Sequence, residues 1–271
     1  MLPDIDYHPR QGLVADESAY QTRIPAAPLS RWVACFWQLN VPEGGFDYRS
    51  VPDNSVDLIV NLHDAAEVFI VKPGVSPQVF GITGPVAYFG IRFRLLGYQG
   101  LIQTPLGAWD SDHIATELAG LLPESILHAI HHCAERPLSF DARCAEFSAL
   151  ILGSVRCPDI DPRLARFIRH NYRNLSSQLD VSDRQCAEFG ISARQLRRLS
   201  QLYLGVLPGE FARVLRFQRM LQQMSASAED RQWADYYYDQ SHFIREFKRL
   251  SGLTPRQFSS MSVLYNTPHD H

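Results

Sequence analysis

The sequence predicts an α+β chain in two parts: a β-rich N-terminal domain with trailing helices, then an all-α domain in which one helical unit occurs twice. Three observations carry this. Up to about Asp110, β-branched and aromatic runs alternate with turn residues. After Asp112 the apolar spacing becomes helical, and after Asp161 it is helical throughout. Within the last third, Ser192–Phe211 (SARQLRRLSQLYLGVLPGEF) is echoed 47 residues later by Asp239–Phe258 (DQSHFIREFKRLSGLTPRQF). The expected domains are 1–155 and 160–262, with Arg156-Cys157-Pro158-Asp159 as the joint.

The strands are expected at 32–41, 55–62, 67–71 and 86–93. Glu43-Gly44-Gly45, Pro52-Asp53-Asn54, Pro73-Gly74 and Gly84-Pro85 punctuate them, because Gly and Pro favour turns over ladders. Several short strands between turn signals suit a sandwich or barrel. Two amphipathic segments follow, with apolar residues at Leu118, Leu121 and Leu122, and at Phe147, Leu150 and Ile151. They can pack on the β domain, on each other or on a second subunit; a dimer interface around 114–153 is the working expectation.

In the all-α part, helices are expected at 161–173, 183–189, 193–204, 208–224, 231–238, 241–251 and 255–262. Ser182, Ser192 and Asp239–Ser241 suit N-caps, since their side-chain oxygens can accept from the first free amides. Gly190, Gly205 and Gly252 stand where helices should stop. Pro208 and Pro255 stand where new helices can start.

The whole-chain numbers exclude several function classes. The first 13 residues lack both an apolar signal core and an Arg-rich amphipathic start, and no apolar run approaches a membrane span. A soluble cytoplasmic protein with no membrane partner is expected. Five cysteines, odd in number and without a C-x-x-C pair, argue for reduced, mostly buried thiols and against a zinc site. No G-x-S-x-G, P-loop or H-E-x-x-H is present, so an enzyme is not expected, nor a cofactor or a metal. His131-His132-Cys133 diverge around a helix and suit a solvated helix end; His63 suits a surface turn. Asp53 and Asp57 read as a turn cap and a strand-edge polar residue.

Charge is unevenly shared. The chain carries −3, but Arg156–His271 holds 17 Lys+Arg against 12 Asp+Glu, leaving 9 against 17 before it. A basic half joined to an acidic half suits a protein of which one part meets a polyanion.

The echo supplies that part. In the first copy Leu196 and Leu199 turn inward, which leaves Arg194, Arg197, Arg198 and Gln201 largely on the other face. Arg can grip guanine edges bidentately and Gln adenine edges. In the second copy Phe243 and Phe247 are the core anchors, and Gln240, Ser241, His242 and Arg245 form an outward N-terminal half. Lys248, with Arg249 and Arg256, is a candidate for backbone phosphates. Two such helices suit successive major-groove turns of double-stranded DNA, about 34 Å apart.

These residues resemble AraC/XylS-type helix-turn-helix transcriptional regulators. Ile191-Ser192, Leu196-x-Arg198, Gly205 and Pro208 match the first unit of that family. Asp239-Gln240-Ser241-His242-Phe243-x-Arg245-x-Phe247-Lys248-Arg249, then Gly252-Leu253-Thr254-Pro255-x-x-Phe258, match the second. The resemblance covers roughly 161–258. It implies two helix-turn-helix units joined by a linker helix over Pro208–Met224, with base-reading positions on Arg194, Arg197, Arg198, Gln240, Ser241, His242 and Arg245. Three departures stand out. Ser200 replaces a usual core aromatic, so Leu199 or Leu202 is expected to fill the space. Tyr236-Tyr237-Tyr238 replaces a usual Gly. The stretch from Met224 to Gln240 is about three residues short, which clips the helix expected over Arg231–Tyr238.

The N-terminal half has a softer likeness to the cupin-like regulatory halves that precede such units, through Trp32–Trp37, Val51-Pro52-Asp53-x-x-Val56-Asp57-Leu58 and Phe89-Gly90-Ile91-Arg92-Phe93. The likeness implies a sensor or a dimeriser. Trp37, Tyr48, Arg92 and Phe93 are the candidate ligand-binding residues, an Arg among aromatics suiting an anionic or planar effector; plain core packing is the competing reading. The expected function is therefore a sequence-specific DNA-binding regulator, homodimeric and responding to a small molecule. Two alternatives stay open: a cupin-like binding protein or enzyme whose helical half has lost DNA binding, and an effector-independent DNA-binding dimer.

Overall fold

The computed structural model describes residues 2–3, 5, 7–11, 19–109, 115–117, 120–175, 182–224, 239–259 and 264–265. Strands β1 (Tyr20–Arg23), β2 (Val33–Ser50), β3 (Val56–Asn61), β4 (Val68–Val71), β5 (Gln78–Phe93) and β6 (Ala115–Glu117) come first. Helices α1 (Glu124–Glu135), α2 (Phe140–Ser154), α3 (Pro162–Arg173), α4 (Asp183–Glu188), α5 (Ala193–Leu204), α6 (Pro208–Met224), α7 (Gln240–Ser251) and α8 (Pro255–Ser259) follow, with β7 (Leu264–Tyr265) last. The expected helix at 231–238, with Tyr236, Tyr237 and Tyr238, lies outside the described residues, as does Leu118.

The strands form one antiparallel sheet in the order β1-β2-β5-β3-β4-β6, with β7 on the free side of β2. The two longest strands, β2 and β5, pair along almost their whole length. This corrects the sequence reading at two turns. Gly44-Gly45 and Gly84-Pro85 do not end strands; Gly44 sits opposite Gly84 within the ladder, beside a bulge between Val41 and Gly44. A side chain at Gly84 would land 1.8 Å from the Pro42 carbonyl oxygen. The two glycines thus let the bulged backbones approach closely and re-aim the outer part of the hairpin. A second correction concerns Ala115–Glu117, expected to begin a helix. It pairs with β4 as a strand, because a partner edge outweighs a short stretch of helical spacing.

Both faces of the sheet are apolar, which is why its strands read as continuous runs rather than alternations. Phe36, Leu58, Ile70, Phe89, Ile91 and Phe93 face the main core. Trp37, Leu39 and Val41 face the other way, as do Ile59, Phe69 and Tyr88. Helix α2 seals the core side, its Phe147 ring stacked on Phe89 at 4.9 Å. Ser139 caps α2 through the amide of Ala142. Buried Arg143 donates to the carbonyls of Cys133 and Ala134 and, through Nη2, to Arg136, which satisfies the C-terminal end of α1. Ile151, expected at a dimer interface, is instead 1% exposed inside this core, while Leu152 beside it is exposed.

The main core does not stop at the joint between domains. It runs from Phe36 through Phe147 to Leu164, Phe167, Leu196 and Phe211. The second unit has its own smaller core, in which Phe217, Phe243, Phe247 and Phe258 meet edge to face.

Candidate nucleic-acid interface and ligand cavity

The two repeated helices are built by the same local devices. Ser192 accepts from the amide of Gln195 at the start of α5, and Asp239 from that of His242 at the start of α7. Gly205 and Gly252 end them at φ of 72° and 76°, a left-handed stop that glycine adopts without strain. Ahead of α5, Ser182 caps α4, and Asp183 accepts from the Ala193 amide at 2.7 Å, fixing the turn between the two helices.

Ser200 is resolved differently from the sequence expectation. It is wholly buried, and its hydroxyl donates to the Val206 carbonyl at 2.7 Å. The hydroxyl ties the end of α5 to the following loop, and Leu199 beside it is buried. Its counterpart, Phe247, is the centre of the smaller core. The two units therefore close on different chemistry, one on a hydrogen bond and one on an aromatic cluster.

Arg194, Arg197, Arg198 and Gln201 are exposed on α5. On α7, Gln240, Ser241, Arg245 and Lys248 are exposed, and His242 is half-buried. Glu246 pairs with Arg213 at 3.2 Å and approaches Arg249 at 3.7 Å, which secures α7 to α6. The outward N-terminal turns of both helices thus carry polar and cationic side chains, with amides and a positive dipole end behind them.

The C-terminal ends of the same helices are held by the β domain, a relationship the sequence did not show. A 3-10 turn at Leu106–Ala108 lies on α5: a Cβ on Gly107 would be 3.0 Å from the Gln201 carbonyl oxygen and from Leu202 Cα. The Tyr98 hydroxyl donates to the Tyr203 carbonyl at 3.1 Å. At α7, Arg49 Nη1 lies 3.4 Å from the Ser251 carbonyl oxygen. The linker helix is fastened as well. Buried Gln218 donates to the Pro52 carbonyl at 2.7 Å, and Asn54 donates to the Phe211 carbonyl at 3.1 Å.

On the face of the sheet away from the main core lies a cavity of about 300 Å³. Trp37, Tyr48 and Arg92 line it. Phe93 does not: successive strand residues alternate faces, so Phe93 enters the main core beside Ile91 when Arg92 points into the cavity. The outer hairpin, through Tyr48, Phe80 and Ile82, forms the opposite wall. Trp37 is placed by its cross-strand partner Gly90; a Cβ there would fall 1.9 Å from the indole. The indole N–H donates to Asp57 at 2.8 Å.

Arg92 is committed within the wall. Its Nε lies 3.1 Å from Asp57 Oδ1, its Nη2 3.2 Å from Asp57 Oδ2, and Nη2 3.4 Å from Asp53 Oδ2. Asp53 also accepts from the Ser55 amide and the Gln11 side chain. Burial pushes the Asp57 carboxyl up and Asp53 adds to this, against Arg92 and the Trp37 N–H, which pull it down. Burial works against the Arg92 charge, but the two carboxylates outweigh it and hold the guanidinium well above its usual range. Burial also pushes the Tyr48 hydroxyl up to about 12. Asp53 is thus the turn cap expected of it, but Asp57 is on an interior strand, not at an edge, and serves as the counter-charge of Arg92. The only sequence hint was an aspartate inside an apolar run.

Among the described residues no cluster of His, Cys, Asp and Glu could hold a metal ion, and no helix is long and apolar enough to cross a membrane. His63 is exposed, with Nδ1 3.1 Å from the Pro85 carbonyl oxygen. His131 is half-buried and His132 exposed on α1.

Comparison with known proteins gave two family matches. A family described as a helix-turn-helix domain matches residues 185–261, and a domain of unknown function, DUF6597, matches residues 21–115. No match was found among curated proteins. Solved structures of ToxT from Vibrio cholerae are similar at 12% identity and a TM-score of 0.45, over 89% of this chain and 98% of that one. A ToxT structure bound to (E)-4-(8-methylnaphthalen-1-yl)but-3-enoic acid is similar at 11% identity and 0.45, over 89% and 98%. One bound to an unsaturated fatty acid is similar at 12% and 0.43, over 90% and 95%. With capped, glycine-stopped helices repeated at a fixed offset and a family match across both, the C-terminal part of this chain is a helix-turn-helix domain of the AraC type.

Proposed function

We propose that the chain binds a specific double-stranded DNA site through α5 and α7, and that occupancy of the β-domain cavity by a small molecule tunes that binding. The observation that carries this reading is the division of the two helices. Their polar N-terminal turns are exposed, and their C-terminal stops rest on the domain that encloses the cavity. Arg194, Arg197, Arg198 and Gln201 on α5, and Gln240, Ser241, His242 and Arg245 on α7, are the base readers in this reading; Lys248 meets a phosphate.

The coupling route is short. Segment 50–55 supplies Ser50, Val51, Pro52, Asp53 and Ser55 to the cavity wall, while Pro52 and Asn54 hold the linker helix. A ligand that shifts this segment shifts α6, and with it the spacing of the two units. Trp37, Tyr48 and Arg92 are the proposed ligand contacts.

The protein acts in the cytoplasm as a homodimer with no catalytic role, its partner copy meeting the exposed side of α2 around Leu152. Selection of bound sites from a random DNA pool, followed by affinity at several salt concentrations, tests the reading. A defined site and a steep fall of affinity with salt are expected. Flat, negligible binding would overturn it. The reading in which the helical half has lost DNA binding leans on Ser200 and Tyr236; the Ser200–Val206 bond gives Ser200 a structural role, and Tyr236 lies outside the described residues.

A further inference from the structure

We propose that the cavity selects an uncharged, planar aromatic ligand and disfavours organic anions. The inference rests on the cavity being the effector site, and it names the class of molecule that site admits.

Four ionised side chains line the cavity: Arg92 and Lys72 against Asp53 and Asp57, a formal sum of zero. An arginine in a pocket ordinarily invites a carboxylate or phosphate through its bidentate fork. Here the Nε–Nη2 edge is already closed on Asp57, with Asp53 against the same Nη2. Arg92, Asp57 and Asp53 are each at most 9% exposed. An anion entering the cavity would lose its hydration and find two buried carboxylates whose counter-ion is taken. Buried charges without a partner are disfavoured strongly enough to decide between ligands of equal shape.

Shape gives the second half. Trp37 lies flat against Gly90, with Tyr20 stacked beyond it at 6.1 Å and 27° between planes. Across the space, Tyr48 and Phe80 approach each other at 6.4 Å from the outer hairpin. A volume of about 300 Å³ between aromatic walls is at the small end of ligand pockets and suits a flat, compact body. Rings prefer offset or edge contacts with other rings, so such walls select planar ligands over flexible chains.

A matched pair of fluorescent probes tests this on the full chain. N-phenyl-1-naphthylamine is uncharged; 1-anilinonaphthalene-8-sulfonate is the same body with one sulfonate. The uncharged probe should bind saturably, and at least tenfold tighter than the sulfonate. Ile82→Trp, which fills the cavity from the outer hairpin, should abolish the bound signal, and Ser50→Leu, on the same face of β2 as Tyr48, serves as a second filling variant should Ile82→Trp not fold. Asp57→Asn removes one carboxylate and should narrow the preference at least threefold in favour of the sulfonate. A sulfonate that binds this cavity as tightly as the uncharged probe would overturn the proposal while leaving an effector cavity in place. No saturable signal from either probe, or a signal indifferent to both filling variants, would overturn the cavity reading and the proposal together.

Discussion

Pro73 and Pro77 lie four residues apart on the loop between β4 and β5, and each rests on the stop of a different repeated helix. A Cβ at Gly205 would lie 4.0 Å from Pro73 Cδ, and one at Gly252 3.5 Å from Pro77 Cγ. Lys72, Gly74 and Ser76, which alternate with the two prolines, line the cavity. One loop therefore has a cavity side and a helix side, as an extended chain with a two-residue period allows. Loop 72–77 and segment 50–55 are two places among the described residues where the cavity wall meets the helical domain.

Two substitutions test the docking of the β domain on α5. Gly107→Val should wedge the 3-10 turn off α5, because the 3.0 Å approach to Gln201 and Leu202 leaves no room for a side chain. A loss of about 1–3 kcal/mol is expected, the usual range for overpacking. Tyr98→Phe, which loses the bond to Tyr203 and leaves the buried Leu106 amide without its acceptor, should cost about 1–3 kcal/mol. Urea unfolding measures both. A Gly107→Val protein as stable as the parent would show that the docking of the domains is loose.

Readers and phosphate contacts should behave differently on DNA. Arg198→Ala or Arg245→Ala should cost about 1–3 kcal/mol on the selected site and relax preference at particular base pairs. Lys248→Ala should weaken all sequences alike and lower the salt slope by about 1. Fluorescence anisotropy against the selected site and single-base variants separates the two patterns. Unchanged selectivity in Arg198→Ala would mean that another face of α5 meets the DNA.

Ser200 offers a test of how the first unit closes. Ser200→Ala leaves the Val206 carbonyl without its buried donor and should cost about 1–3 kcal/mol. Ser200→Phe, which restores the aromatic usual in the family, should also destabilise, by about 1–3 kcal/mol, because the site is fully enclosed around a small side chain. Thermal unfolding distinguishes this from a vacant core position, where the phenylalanine would stabilise.

Helix α2 separates fold from assembly. Phe147→Ala should lose about 3–5 kcal/mol through the emptied stack on Phe89. Ile151→Asp should unfold the β domain outright, since it places a charge in the core. Leu152→Asp, on the exposed side, should leave stability nearly unchanged but lower the mass seen by light scattering to that of a monomer. A dimer that persists in Leu152→Asp would move the interface elsewhere.

The cysteines should alkylate in a fixed order. Burial pushes the Cys35 thiol up to about 11 and the Cys144 thiol up to about 12. At pH 8, on the order of one Cys35 in a thousand is thiolate, the nucleophilic form. Cys157 is exposed. Iodoacetamide followed by peptide mass spectrometry should find Cys157 modified first, with Cys35 and Cys144 protected until the protein unfolds. Raising the pH toward 11 should increase the Cys35 rate steeply. Early labelling of Cys35 at pH 8 would show that the packing around Trp37 and Leu39 opens.

The sequence alone determined the elements that depend on neighbours along the chain. Ser182, Ser192 and Asp239 cap the helices expected of them, and Gly190, Gly205 and Gly252 each adopt a positive φ. These signals act within one turn of helix, so they are written locally, and the 47-residue echo compounds them. Tertiary structure decided everything that depends on register between distant segments. Gly44 and Gly84 read as turns in sequence because each permits one; only their placement opposite each other makes them a bulge in a long hairpin. Ala115–Glu117 became a strand because β4 offered it an edge. Arg92 looked like an open site for an anion until Asp57, 35 residues away, closed on it. Such pairings arise from burial, where a charge left alone is too costly to keep, and no local pattern in the chain encodes which partner will be there.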